Sequence, residues 1–126
     1  MSFTNKMDIE TYRNYCLSKK GVTESFPFDE EVLVFKVLDK VFALGSILSI
    51  PLKVNLKCDP DKAIAYRDQY EEVTPGYHMN KKHWNTVDFH GNLDDRTLKH
   101  MINHSYELVV SKMTKKKRDF LKSMDN

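Results

Sequence analysis

Residues 52–60 have the sequence LKVNLKCDP, and this stretch decides the fold class. Apolar Leu, Val, Leu and Cys alternate with Lys, Asn and Lys, a period of two that is typical of a strand with one dry and one wet face. Asp59 and Pro60 then supply a helix N-cap followed by proline at the first helical position, where the missing N–H costs nothing. A half-buried strand that passes directly into a helix indicates an α+β protein.

The chain before this strand predicts an antiparallel meander. Residues 32–38 are rich in β-branched and aromatic residues, residues 39–40 suit a tight turn, and residues 41–44 continue as the partner strand. Gly45 is expected to mark a bulge or a strand end. A weaker strand near residues 23–28 contains a proline, which confines it to an edge or an end of the sheet.

A first helix is predicted to begin after Asp8, a candidate N-cap. Ile9, Tyr12 and Cys16 recur at helical spacing, so they share the face that packs on the sheet. Gly21 is expected to end this helix in the left-handed C′ conformation.

The middle of the chain predicts a second helix and a short hairpin. The helix is expected to run to about residues 70–72, and residues 74–76 (Thr-Pro-Gly) have the chemistry of a turn. Residues 84–89 are expected to form a strand that pairs with residues 76–80.

The last helix begins near Asp94 and keeps one apolar face as far as Met113, nearly five turns later. A second possibility is two helices, with Ser105 capping the second. Either arrangement predicts a two-layer α+β sandwich, in which an antiparallel sheet packs against helices. No linker or repeat divides the chain, so residues 1–126 are expected to form one domain, with a basic helix or tail at about residues 114–126.

The composition excludes several classes of protein. Of 126 residues, 40% are hydrophobic and 30% are charged, and the net charge is only +2, so neither a disordered chain nor a polycation fits. Residues 99–126 carry seven Lys or Arg and three Asp or Glu, a net charge of +4. No apolar run approaches the length of a membrane span, and the N-terminus lacks the layout of a signal peptide. A cytoplasmic monomer is the expectation.

No catalytic residue, metal site or cofactor is predicted. His100 and His104 have the i, i+4 spacing of a ligand pair, but no Glu or cysteine pair accompanies them, and both are expected to face solvent. Cys16 lies on an apolar helix face, which favours packing over reactivity. Cys16 and Cys58 can form one disulfide, although two buried thiols in a reducing compartment are the simpler interpretation.

Clustered basic residues are the remaining signal. Lys53 and Lys57 share the wet face of their strand and are expected to lie side by side. Residues 80–84 (NKKHW) add two cations, two hydrogen-bonding side chains and an aromatic ring, a mixture that suits phosphates and base edges. The alternative is an ordinary solvated strand face beside a tryptophan that belongs to the core.

Four stretches together are similar to the MmcQ/YjbR family: residues 24–28 (ESFPF), 54–60 (VNLKCDP), 75–84 (PGYHMNKKHW) and 105–109 (SYELV). The resemblance extends from about residue 8 to residue 118. It implies a CyaY-like (frataxin-like) α/β fold with a double-wing DNA-binding arrangement, in which β-hairpins are presented to the duplex.

The resemblance also assigns positions. Residues 80–84 match the most recognisable stretch of the family, and Lys57 matches its basic strand-end position. The acidic ridge of frataxin's iron surface has no counterpart in the first helix, where Asp8 and Glu10 stand alone, so no iron role is expected.

Two functions follow as hypotheses. The first is a non-enzymatic module that binds double-stranded DNA through a basic face built from hairpins. The residues expected to contact DNA are Lys53, Lys57, Lys81 and Lys82 at phosphates, with Asn80 and His83 adding polar contacts. The alternative is a protein- or small-ligand-binding adaptor of chaperone-like type, with Tyr77 and Trp84 lining a pocket. The modest net charge favours this alternative.

Overall fold

A computed structural model describes residues 7–124, in which one six-stranded antiparallel sheet packs against four helices. The helices are α1 (Ile9–Leu17), α2 (Pro60–Gln69), α3 (Asp95–Ser111) and α4 (Lys115–Ser123). The strands are β1 (Val22–Ser25), β2 (Val32–Val37), β3 (Lys40–Ser46), β4 (Lys53–Lys57), β5 (Val73–Pro75) and β6 (Trp84–Asp88).

The strand order is β1-β2-β3-β4-β6-β5, and every neighbouring pair is antiparallel. Strands β1 to β4 form the predicted meander, because short connections join strands that are adjacent in sequence. Helix α2 separates β4 from β5, and β6 inserts between these two strands. The predicted α+β sandwich is confirmed.

The register gives the sheet two different faces. Leu56 lies opposite Ala43 on the face that packs against the helices, whereas Asn55 lies opposite Leu44 and Thr86 on the other face, which we call the open face. The face under the helices is apolar and carries most of the core. Its largest fully buried side chains include Tyr12, Phe35, Phe42, Phe89, Leu98 and Ile102.

Three helices begin after an aspartate that accepts hydrogen bonds from the backbone of the first turn. Asp8 Oδ1 accepts a hydrogen bond from the Thr11 backbone at 2.8 Å, and Asp94 Oδ1 accepts one from Thr97 at the same distance. Asp59 caps α2 ahead of proline, as predicted. These carboxylates also stabilise the helix N-termini through the helix dipole.

The structure differs from the predicted hairpin of the middle region. Residues 74 and 75 are not a turn but the end of β5, where Thr74 pairs with Thr86 and Pro75 with Asn85. Residues 76–80, which were expected to pair with β6, form the connecting loop instead. The proline is tolerated because it ends an edge strand, where its missing N–H interrupts no ladder.

The assignments of two glycines also differ. Helix α1 ends at Leu17 with Ser18 as its C-cap, so Gly21, with φ of +75°, leads into β1 rather than capping the helix. The sheet bulge lies between Phe35 and Lys36, not at Gly45. Gly45 lies inside β3, where a Cβ would be 2.5 Å from the carbonyl oxygen of Lys53. This close approach of the β4 backbone explains why the position is occupied by glycine.

Candidate functional site

Strand β4 separates two of the predicted DNA contacts. Lys53 lies opposite Asp88 at the start of the strand, and Lys57 lies opposite Trp84 at its end. Four residues of extended chain place the two positions about 13 Å apart. The two lysines therefore do not lie side by side as predicted.

Lys53 lies beside carboxylates. A small concavity of about 90 Å³ brings Lys53 together with Glu71, Glu72 and Asp88. Three acidic side chains around one ammonium group lower the local potential, so this end of β4 is a poor site for a polyanion.

Lys57 instead lies among cations from three other elements. A groove of about 570 Å³, which we call the basic groove, is lined by Lys40, Val41, Lys57, Val109, Lys112, Met113, Thr114 and Lys117. Its lysines come from the start of β3, the end of β4, the C-cap of α3 and the first turn of α4. No carboxylate lines this groove within the part of the chain that the structure describes.

Asp39 is the acidic neighbour of two of these lysines: it pairs closely with Lys117 and interacts more weakly with Lys40. Lys117 Nζ lies 3.2 Å from Asp39 Oδ2, and Lys117 holds the pKa of the Asp39 carboxyl below its usual value. No carboxylate from the described residues lies within ion-pair distance of Lys40, Lys57 or Lys112. Their charges are therefore available to an anion.

A second concavity of about 290 Å³ continues from the basic groove, and we call it the His83 groove. It shares Lys57 and Lys112 with the basic groove and adds Asp59, Pro60, Asn80, His83, Trp84 and Leu108. The structure thus brings together Lys57, Asn80 and His83 of the predicted set. Asp59 is the one carboxylate in the lining.

Lys81 and Lys82 lie on the neighbouring loop and line neither groove. Asn80 Oδ1 accepts a hydrogen bond from the Lys82 backbone at 2.9 Å, and Lys81 Nζ donates to the Gly76 carbonyl at 3.2 Å. Both lysines are exposed. The side chains of Asn80 and Lys81 therefore stabilise the conformation of this loop.

Arg67 of α2 fastens this loop to the fold. Its Nε donates to Oδ1 of the buried Asn85 at 2.7 Å, and its Nη2 donates to the carbonyls of Lys81 and Trp84. The planar guanidinium can reach three acceptors at once because its donors form a rigid fork. Sequence reasoning missed this residue, since the acceptors are 14 to 18 positions away.

His104 is only half exposed, contrary to the prediction that both histidines of α3 face solvent. Its Nε2 accepts a hydrogen bond from the Asp59 backbone at 3.1 Å, so it helps to hold the start of α2. Burial, together with the nearby Lys62 ammonium group, lowers the pKa of His104. Within residues 7–124 no group of three or more His, Cys, Asp or Glu is arranged to hold a metal ion.

Both cysteines are buried and unpaired with each other. Burial raises the pKa of Cys58 to about 11 and also raises the pKa of Cys16. Such thiols are poor nucleophiles at neutral pH and behave as small apolar side chains.

The open face carries a third, larger feature, which we call the open-face cleft. Its volume is about 950 Å³, and Tyr77 and Trp84, the predicted pocket residues, both line it. The other lining residues are Phe28, Val32, Val41, Leu44, Gly45, Ser46, Ser49, Lys53, Asn55, Thr74, Pro75, His78, Met79 and Thr86. Trp84 also lines the His83 groove, so one ring borders both concavities.

The sequence profile of the YjbR family matches residues 17–108, which is more than half of the chain. The chain belongs to the YjbR family. It is 33% identical over 115 residues to the uncharacterised protein YjbR of Escherichia coli K12, covering 91% of this chain and 98% of that protein. It is 38% identical over 107 residues to the uncharacterised protein YbdF of E. coli O157:H7, covering 85% and 88% of the two chains.

Solved structures agree with this assignment to the YjbR family. The crystal structure of Deinococcus radiodurans protein DR2400, a DUF419 domain, has a TM-score of 0.88 and 38% identity, and the match covers 98% of this chain and 94% of that one. A Pseudomonas syringae protein has a TM-score of 0.71 and 26% identity over 81% and 98% of the chains.

The YjbR match contains Lys40, Lys57, Asn80 and His83, whereas Lys112 and Lys117 lie beyond residue 108. The basic groove of this YjbR-family chain is therefore completed by its C-terminal part. Among residues 7–124, no helix has both the length and the apolar character needed to cross a bilayer.

Proposed function

We propose that this YjbR-family chain is a non-enzymatic, double-stranded DNA-binding protein that contacts phosphates through the basic groove. The observation that carries the proposal is the convergence of Lys40, Lys57, Lys112 and Lys117 from four separate elements on one concavity without a lining carboxylate. Such a local cluster produces a positive potential although the whole chain carries only +2.

The neighbouring His83 groove extends this surface with neutral hydrogen-bonding groups. Lysine ammonium groups neutralise phosphates without reading sequence, whereas Asn80 and His83 have side chains that can meet a phosphate or a base edge. Since Lys57 and Lys112 border both grooves, phosphate contacts and polar contacts would be made by one bound strand.

A cytoplasmic location is part of the proposal. Bacterial DNA is in the cytoplasm, and the two buried thiols, Cys16 and Cys58, remain unpaired in a reducing compartment.

The test is a fluorescence titration of a random duplex at several salt concentrations. Each neutralised phosphate contributes about −0.9 to the slope of log K against log salt, so four lysines predict a slope of about −3.6. Replacing Lys57 and Lys112 together by Gln should flatten the slope by about two units. Lys53→Gln is the matched control for Lys57→Gln alone, because each removes one charge and Lys53 lies at the other end of β4, beside Asp88.

The loop lysines are tested in the same way. A double Lys81→Gln, Lys82→Gln variant that flattens the slope by about two units would assign the contacts to the loop, as the sequence predicted. An unchanged slope in the Lys57, Lys112 variant would reject the basic groove. Displacement of the duplex by an equal charge of polyaspartate would reduce the proposal to general polyanion affinity.

The second candidate is the adaptor function, favoured by the apolar character of the open-face cleft and its rim. Phe28, which lines the cleft, is 72% exposed, and Leu48 and Ile50, which are next in sequence to the lining residue Ser49, are 64% and 93% exposed. Exposed apolar surface of this kind often marks an interaction site. Saturable binding of an apolar dye, with a change in the fluorescence of Trp84, would support it.

A further inference from the structure

We infer that the open-face cleft receives an unpaired nucleobase from the nucleic acid whose phosphates lie in the basic groove. This inference rests on the phosphate contacts of the proposed function, and it adds DNA with an unpaired base to the duplex as a ligand. The connecting observation is Trp84, which lines both the His83 groove and the open-face cleft. A strand held at Lys57 and Lys112 therefore lies next to a residue that also lines the cleft.

The walls of the cleft present aromatic rings to a ligand. Tyr77 is 69% exposed and Phe28 is 72% exposed, although both line the cleft. Exposed rings beside a basic groove are the pattern of proteins that bind single strands, because each base has a π-face and stacks without regard to sequence. A base between these rings would cover apolar surface that is otherwise in contact with water.

The floor of the cleft presents an oriented amide. The Tyr77 backbone N–H donates to Thr86 Oγ1 at 2.9 Å, and this hydroxyl donates to Asn55 Oδ1. Asn55 Oδ1 is thereby engaged, while its Nδ2 has no hydrogen-bond partner among the described residues. An amide held in this way can donate to a carbonyl or ring nitrogen on a base edge.

The charge of the lining suits the same ligand. No carboxylate from residues 7–124 lines the cleft, and its one charged lining residue is Lys53. The described lining of the cleft itself therefore carries no negative charge, and the carboxylates of Glu71, Glu72 and Asp88 belong to the adjoining concavity at Lys53. In a duplex the bases are paired and stacked, so only an unpaired base can enter.

The experiment measures how tightly the full protein chain binds oligothymidine and a blunt duplex of equal length, at one salt concentration. Trp84 is the only tryptophan, so its fluorescence reports directly on the cleft. The single strand is expected to change Trp84 fluorescence and to bind more tightly than the duplex. Tyr77→Ala should weaken single-strand binding by roughly 5- to 150-fold, the range for loss of one stacked base, and leave duplex binding unchanged.

Phe120→Ala is the matched control, since Phe120 is an exposed aromatic residue of α4 that does not line the cleft. Asn55→Ala is an independent second variant, and it is expected to weaken binding of the single strand but not of the duplex. Equal weakening of both DNA forms by Tyr77→Ala, or no weakening of either, would overturn the inference.

The failures of the two proposals are distinguishable. If duplex binding depends on Lys57 and Lys112, but oligothymidine binds no more tightly than the duplex and Tyr77→Ala does not weaken its binding, the inference fails and the proposed function stands. If neither DNA form binds, both fail. An apolar dye that binds in the cleft under those conditions would then favour the adaptor function.

Discussion

The hydroxyl oxygen of Ser105 lies 2.9 Å from the backbone nitrogen of Lys57, inside the layer between α3 and β4. The same hydroxyl donates to the carbonyl of Phe42 in β3 at 2.5 Å. One fully buried side chain thus satisfies backbone groups of two strands and fixes the end of β4 from which Lys57 reaches the basic groove.

Replacing Ser105 by Ala is expected to lower the free energy of unfolding by about 1–3 kcal/mol, because two buried backbone groups lose their partner. Urea unfolding measures this change. Ser111→Ala is the control, since its hydroxyl is exposed and bonds only to the carbonyl of Leu108 within the helix. Equal stabilities for the two variants would contradict the role assigned to Ser105.

Replacing Arg67 by Ala is expected to loosen the loop before β6 and to destabilise the fold by about 1–3 kcal/mol, because the buried Asn85 Oδ1 loses its donor. Amide hydrogen exchange should become faster at residues 81–85. Arg96→Ala removes an exposed arginine from α3 and should change neither property. Arg67→Lys should recover only part of the protection, since an ammonium group cannot reproduce the fork.

Acidification is expected to destabilise the fold through His104. The pKa of His104 is lower in the folded chain than in the unfolded chain, because the imidazole is partly buried near Lys62. The unfolded state therefore binds more protons, and stability is lost as the pH falls through the unfolded value of about 6.5.

His104→Ala should reduce the change in unfolding free energy between about pH 8 and pH 5, a range in which unperturbed histidine titrates. His100→Ala is expected to have a smaller effect, since His100 lies on the exposed part of the same helix and is only a minor cause of the lowered pKa of His104. A pH profile that His104→Ala leaves unaltered would exclude this residue as its origin.

Gly45→Ala is expected to destabilise the sheet by about 1–3 kcal/mol, the usual cost of overpacking. The new Cβ would lie 2.5 Å from the Lys53 carbonyl and 3.4 Å from Val54 Cα, and both are backbone atoms that cannot rotate away. Thermal unfolding gives the measurement. An unchanged midpoint would show that β3 and β4 can separate at little cost.

Local sequence patterns predicted most of the fold. The alternation in residues 52–58, the caps Asp8 and Asp59, and the long apolar face of α3 depend on contacts within a few positions, so they are visible in the sequence. One failure was at Thr74 and Pro75, where turn-forming residues lie at the end of an edge strand whose partner is ten or more positions away.

The sequence by itself determined that this is an α+β sandwich of the YjbR family. Only the tertiary structure decided which cations lie together. Lys40, Lys57 and Lys112 are distant in sequence and meet because antiparallel pairing and the packing of α3 bring one end of the sheet together. Lys53 is separated from Lys57 because the four residue steps of extended strand between them cover about 13 Å.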